Sequence, residues 1–384
     1  MPEMRQVYVV GVGMTRFGRF DHMDGGRLGA EAVRLALKDG GLLLKDVQVL
    51  TSGSYFESDT LRRTILGRFE ETLSEDLPLH SAGGAFSSGD AAFHDAVLRV
   101  ATGDVDVAIA IGSDVTSGDR RGRRAAAPPG GPVISPAPDF MQQRYAGAVR
   151  EYAERHGFSQ SQAAKVVVKN RRHGSLNPFA CLQTEIRHDD VLRSPMVEYP
   201  NTEAMCCFAV DGAAALIVAS AEKARAIVGA GALIRVAASR RITNPRQYQQ
   251  DALRDIAGMT RNCATQAYQQ AAIEPGELDC VELDDYLAGA ELLHYETLML
   301  CEEGGAGRMI DESRTSLGGD IPVNTSGGLL SKGFAPGASG LTSICELVWQ
   351  LRGQAGERQV DGPDVGLAQS IDANLGCTVK ILIS

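Results

Sequence analysis

Ala264–Leu283 reads ATQAYQQAAIEPGELDCVEL, and Ala32–Leu50 reads AVRLALKDGGLLLKDVQVL. Both start on a helical apolar period, break at a polar or glycine-bearing turn, and end in a short apolar strand. A second correspondence lies close by. Gly337-Ala338-Ser339-Gly340 opens a helix pattern, as Phe86-Ser87-Ser88-Gly89 does earlier. The repeat is weak residue by residue and clear in its order, so the 384-residue chain reads as two similar βα-rich halves.

The flanking pattern agrees. Val7–Gly13, Asp46–Leu50, Val105–Gly112 and Asp211–Val218 are strand-like runs, and Gly29–Lys38 and Asp90–Val100 are helical between them. Apolar strands separated by helices indicate a layered α/β fold with strands buried on both faces. Arg120–Pro138, RRGRRAAAPPGGPVISPAP, interrupts the alternation with basic residues, proline and glycine. Helical patterns follow at 140–156 and 159–172. The expected organisation is therefore a first half over 1–119 with part of 205–230, an insertion over 120–204, and a second half over 231–384.

With 38 Lys+Arg against 48 Asp+Glu the net charge is −10, which excludes a nucleic-acid-coating protein. No apolar run approaches the ~18 residues of a membrane span, so no membrane is expected as a partner. The first six residues lead directly into a strand pattern, and no secretory leader is expected. Eight scattered cysteines without a CxxC, and scattered histidines, imply neither a disulfide scaffold nor a metal cluster. A reducing cytoplasm is the expected location. Gly11-Val12-Gly13 lacks the third glycine of a dinucleotide fingerprint, since Arg16 stands there, and reads as a strand-end turn. The stretch GGDIPVNTSGGLLSKGFAPGASG, Gly318–Gly340, is dense enough in glycine to bring backbone close to a ligand.

Several segments carry a resemblance. VVGVGMTRFGR (Val9–Arg19), MCCFAVDGAAALIVAS (Met205–Ser220), ELLHYETLMLCEEGGAGRMID (Glu291–Asp311), PVNTSGGLLSKG (Pro322–Gly333) and ELVWQLRGQAGERQV (Glu346–Val360) resemble the thiolase superfamily, in its sterol-carrier-protein-thiolase-like branch. The resemblance spans essentially the whole chain. It implies two pseudo-twofold-related βαβαβαββ halves in five layers, an inserted loop domain over coenzyme A, and a homodimer. It implies no tightly bound cofactor, with coenzyme A entering as part of an acyl-CoA substrate.

The reactive positions of that family are replaced. Where its motif resembles N-C-A-T-G, this chain has Ala85-Phe86-Ser87-Ser88-Gly89, so Phe86 stands at the nucleophilic Cys. The family's E-x-H-D-C-F reads Glu282-Leu283-Asp284-Asp285-Tyr286-Leu287, with Asp284 at the His. Gly333-Phe334-Ala335 puts Phe334 at a second His, and the last turn reads Ala373-Asn374-Leu375-Gly376. Acyl transfer through a Cys acyl-enzyme needs those groups and is not expected.

Three readings stay open. The first is retro-aldol cleavage of a β-hydroxyacyl-CoA in lipid or steroid metabolism. Similar aldolases of the family act with a small zinc-ribbon/OB-fold subunit, which would give a heterotetramer. That chemistry needs a base and donors for the thioester enolate. Asp284 is the candidate base, raised by burial, and Tyr286 an assisting acid if the strand carries on far enough to put both on one face. Phe86, Ser87, Phe334, Asn324 and Gly376 are the candidate pocket residues, the phenylalanines favouring a bulky apolar acyl group. Ser239, Arg240 and Arg241 are read as following a strand and contacting coenzyme A. The second reading is a degenerate subunit that binds acyl-CoA or a partner without chemistry. The third is acyl transfer by another nucleophile, Ser87 or a remaining Cys. His80 and His94 read as satisfied polar groups, and the Arg120–Arg124 cluster as a solvated loop.

Overall fold

The computed structural model describes residues 4–54, 78–81, 88–116, 139–229, 231–243, 252–371 and 376–384. The strands are β1 (Val7–Met14), β2 (Val49–Gly53), β3 (Leu79–Ser81), β4 (Val107–Asp114), β5 (Met196–Glu198), β6 (Asn201–Thr202), β7 (Gly212–Ser220), β8 (Ile234–Thr243), β9 (Cys280–Glu282), β10 (Val365–Ile371) and β11 (Gly376–Ile383). The helices are α1 (Gly25–Asp39), α2 (Ser88–Thr102), α3 (Asp139–His156), α4 (Gln160–Ser175), α5 (His188–Arg193), α6 (Ala221–Val228), α7 (Ala252–Ala271), α8 (Ala288–Thr297), α9 (Ala306–Asp311), α10 (Gly328–Lys332) and α11 (Ser339–Leu351).

Strand order exposes the duplication. From the centre outward one half runs β1-β7-β4-β2-β3 and the other β8-β11-β10-β9. In both, the first two pairings are antiparallel and the next parallel. A parallel bridge between Val281 and Val323 repeats the β2–β3 pairing. The halves meet antiparallel at β1 and β8, with Tyr8 opposite Arg235 and Val9 opposite Ile234. Helix α1, a 3-10 turn at Leu44–Asp46 and β2 are matched by α7, a 3-10 turn at Pro275–Glu277 and β9.

The layers follow from which faces are apolar. Helix α1 buries Leu28, Val33 and Ala36 on one face of the first half. Helices α2 and α11 lie between the halves, with Phe93, Val97, Leu341 and Leu347 in one shared core. Helix α7 covers the second half from outside through Cys263, Ala267 and Tyr268. That makes five layers. A Cβ on Gly13 would lie 2.4 Å from the Ala32 carbonyl oxygen. The Gly11–Gly13 pair thus lets α1 press onto β1 and is no nucleotide loop. A Cβ on Gly112 would lie 1.9 Å from the Gly337 carbonyl oxygen, where the loop opening α11 crosses β4.

Helices α3 and α4 pack over α8 and share the second half's core through Tyr145, Val149, Val166 and Val167. The β5–β6 hairpin is a separate two-stranded sheet. Among the described residues no helix is long and apolar enough to cross a membrane.

Candidate active site

Strand β9 stops at Glu282, and the chain turns through Leu283–Leu287 into α8. Side-chain bonds fix each step of that turn. Glu282 accepts from the Ser326 N–H at 3.0 Å and from the Ser326 hydroxyl. The Leu283 N–H donates to Asn324 Oδ1 at 2.9 Å, and the Asp284 N–H to Gln369 Oε1 at 3.0 Å.

The two adjacent aspartates serve different ends. Asp285 Oδ1 accepts from the Leu329 N–H at 2.6 Å and Oδ2 from Asn170 Nδ2 at 2.8 Å, holding the start of α10. A Cβ on Gly328, where φ is +60°, would sit 2.1 Å from Asp285 Oδ2. Burial, and then the charge of Glu291, push the Asp285 carboxyl up to about 8. Glu291 itself receives Lys169, the Tyr295 hydroxyl, Asn170 and Asn324.

Asp284 has a poorer set of partners. Its Oδ1 accepts from the Tyr286 N–H at 3.0 Å and its Oδ2 from the Ile371 N–H at 3.3 Å. Among the described residues no Lys, Arg or His forms an ion pair with it. Burial pushes its carboxyl up to about 6, opposed only in part by the two backbone donors. Asp284 lines a cleft with Asp90, Lys332, Phe334, Gln369 and Ser370. Its enclosed volume is about 20 Å³, close to the space of one water.

Tyr286 departs from the expectation that a continuing strand would aim it beside Asp284. The strand has ended, and Tyr286 stacks on Tyr145 with ring centroids 5.9 Å apart and is not part of the cleft lining. Phe334 meets Tyr286 edge to face at 5.3 Å while also lining the cleft. Tyr145 is buried, with its hydroxyl 3.4 Å from His294 Nε2. Asn324 lies behind the turn and outside the cleft lining. It holds φ at +54° and reaches Leu283 and Glu291, so it positions the turn. Gly376 opens β11 opposite Thr243. Phe86 and Ser87 lie outside the described residues, as does the Arg120–Arg124 cluster.

Ser239, Arg240 and Arg241 were expected after a strand; they lie inside β8, paired with β11 at Lys380, Val379 and Thr378. The strand runs on past them to Thr243 because its backbone stays paired with β11 as far as Gly376. Ser239 is buried and bonded to His94 Nδ1 at 3.0 Å. Burial and then Arg241 hold the His94 imidazole below its usual range.

One pair escaped sequence reasoning. Asp90, in the first turn of α2, forms a buried ion pair with Lys380 of β11 and accepts from Ser370 Oγ at 2.7 Å. A lone lysine in the apolar run Cys377–Ile383 was the available signal, because a buried ammonium demands a partner. Six of the eight thiols are poor nucleophiles. Burial raises Cys181, Cys207, Cys280, Cys301, Cys345 and Cys377, with Cys301 at about 12.

Two like halves, with a polar cleft where β9 and β10 of one face the first turn of α2 from the other, define a duplicated five-layer α/β protein. The chain belongs to the thiolase family: the thiolase N-terminal domain model matches residues 7–190, and the thiolase C-terminal domain-like model residues 245–383. It is 34% identical to benzoylsuccinyl-CoA thiolase subunit BbsB of Thauera aromatica, over 98% of this chain and 96% of that one. It is 31% identical to sterol carrier protein 2 of Rattus norvegicus, over 96% of this chain and 70% of that one. Its fold is similar to the solved Ltp2-ChsH2(DUF35) aldolase, with TM-score 0.82, 23% identity, and 99% and 98% of the two chains covered.

Proposed function

We propose that this protein is a carbon–carbon lyase that cleaves a β-hydroxyacyl-CoA by retro-aldol chemistry, with Asp284 as the base. The carrying observation is Asp284 itself: a buried carboxylate in a cleft, lacking a cationic partner among the described residues and raised to about 6. Such a group is mostly ionised at pH 7 and strongly basic for a carboxylate. It takes the β-hydroxyl proton, the Cβ–O bond becomes a carbonyl, and the Cα–Cβ bond breaks. The electron pair passes into the thioester as an enolate, which gains a proton at Cα to leave a shortened acyl-CoA and a ketone or aldehyde. Backbone N–H groups near Phe86 and Gly376 are the candidate donors for the enolate. The raised thiols speak against acyl transfer through Cys181, Cys207, Cys280, Cys301, Cys345 or Cys377.

The relatives support the class of ligand and of partner. BbsB is named as one subunit of a thiolase for a CoA ester, and the similar aldolase structure contains a DUF35 component. We place a homodimer at the centre, with a small zinc-ribbon/OB-fold subunit as its partner. The insertion 120–204 is assigned to coenzyme A, with Ser239, Arg240 and Arg241 as its contacts from β8. Tyr286 acts through its backbone N–H on Asp284.

The narrow cleft favours a second reading, a subunit that binds the ester without turning it over. Calorimetry of coenzyme A binding by wild type and Asp284→Ala separates the two, followed by turnover of a tertiary β-hydroxyacyl-CoA with any co-purifying partner present. Binding by both and turnover by wild type alone supports the lyase. Binding without turnover by either, across several acyl groups, supports the second reading.

A further inference from the structure

Away from the Asp284 cleft, α4 and the segment 310–317 enclose a groove of about 450 Å³, within the size range of small-molecule sites. Its floor is Lys169 and His173, both buried and both committed. Lys169 is paired with Glu291 and donates to the Val323 carbonyl at 2.9 Å. His173 Nδ1 lies 3.0 Å from the Asn324 carbonyl oxygen, and its Nε2 accepts from the Leu317 N–H at 3.0 Å. Burial, and then Lys169, lower the imidazole to about 3, so it adds no charge at neutral pH.

The remaining charges can be counted. At the rim Lys165 is neutralised by Asp311, and His188 is engaged by the Ser161 hydroxyl at 2.9 Å on Nε2 and by Asp189 on Nδ1. That leaves Arg172, which lines the groove, is exposed, and has no acceptor for its guanidinium among the described residues. Val168, on α4, and Leu176, at its C-cap, stand beside it, and Leu317 also lines the groove; all three are apolar and half-buried. One surplus positive charge beside a short apolar wall matches a ligand with one negative charge and a small apolar body. A dianionic phosphate ester would meet one cation and lie close to the Asp311 carboxylate. We propose that this groove is a second ligand site, distinct from the Asp284 cleft, and that it takes a small monocarboxylate anchored by Arg172. A planar guanidinium receives a carboxylate through two parallel N–H···O bonds.

Hexanoate is the probe, titrated into the full chain by calorimetry and saturation-transfer NMR. Saturable binding with a Kd of about 1 mM is expected. Arg172→Gln should weaken it about tenfold or more, the loss of a charge-assisted bond. Leu176→Trp, which fills the groove and leaves Arg172 in place, should abolish it, while Asp284→Ala should bind as wild type. Inorganic phosphate should bind more weakly than hexanoate. The proposal is overturned by no saturable signal at about 20 mM hexanoate, or by equal binding in Arg172→Gln and Leu176→Trp. Loss of binding in Asp284→Ala would put the ligand in the cleft instead, and tighter binding of phosphate would overturn the carboxylate assignment.

Discussion

Replacing Asp284 by Asn should make the protein more stable at neutral pH and leave it nearly unchanged in acid. Asp284 is 7% exposed, and its carboxyl is raised by burial to about 6 from an ordinary 3.8 and receives only two backbone N–H groups. A folded state that holds this proton more tightly than the unfolded chain loses stability as pH rises between those two values. The difference is worth about 3 kcal/mol at pH 7, all of it against folding. Asn keeps an oxygen for the 3.0 Å bond from the Tyr286 N–H and removes the charge. It loses the longer contact from Ile371, a neutral bond worth about 1 kcal/mol. The net expectation is a gain of about 2 kcal/mol at pH 7 to 8, falling to zero or slightly below near pH 4. Urea unfolding of both proteins at pH 4, 5.5, 7 and 8 reads this directly: carboxyls that do not interact with Asp284 cancel in the difference, and relief of Asp285, which the Asp284 charge also raises, acts in the same direction. A loss of stability at pH 8 would refute the reasoning. It would mean that a cation holds Asp284 ionised, making it part of a structural ion pair rather than a base kept at a cost to folding.

If the retro-aldol assay succeeds, turnover should rise with pH through about 6 as Asp284 loses its proton, and a flat profile from pH 5 to 7.5 would remove it as the base. Lys380→Met should cost about 3 to 5 kcal/mol by leaving Asp90 buried without its cation, and Asp90→Asn in the same chain should recover most of that. Urea titration showing a loss below about 1 kcal/mol for the single variant would contradict a buried pair. Gly328→Ala should cost about 2 to 3 kcal/mol, since φ of +60° and a Cβ 2.1 Å from Asp285 Oδ2 both oppose it. A thermal midpoint equal to wild type would show that the turn is looser than described.

Periodicity was enough for alternating strands and helices and for two like halves, while the five-layer arrangement came from the resemblance to thiolases. The α1–turn–β2 and α7–turn–β9 units are local patterns, and each amphipathic helix declares its buried face within its own residues. The resemblance to thiolases located Asp284 and Phe334, because those positions sit inside short motifs of fixed spacing. What happened at Tyr286 was not legible. A strand ends where its neighbours stop pairing with it, and β9 has only three paired residues. Nor could local pattern reveal that Ser239 would face His94, or that Lys380 would reach Asp90 some 290 positions earlier in the chain. Sequence alone determined which residues carry charge and which segments are apolar enough to bury. Only the tertiary structure decided which buried charges found partners. Ion pairing depends on distances of a few ångströms between segments far apart in the chain, and that difference separates Asp90, paired with Lys380, from Asp284, raised and without an ion pair among the described residues.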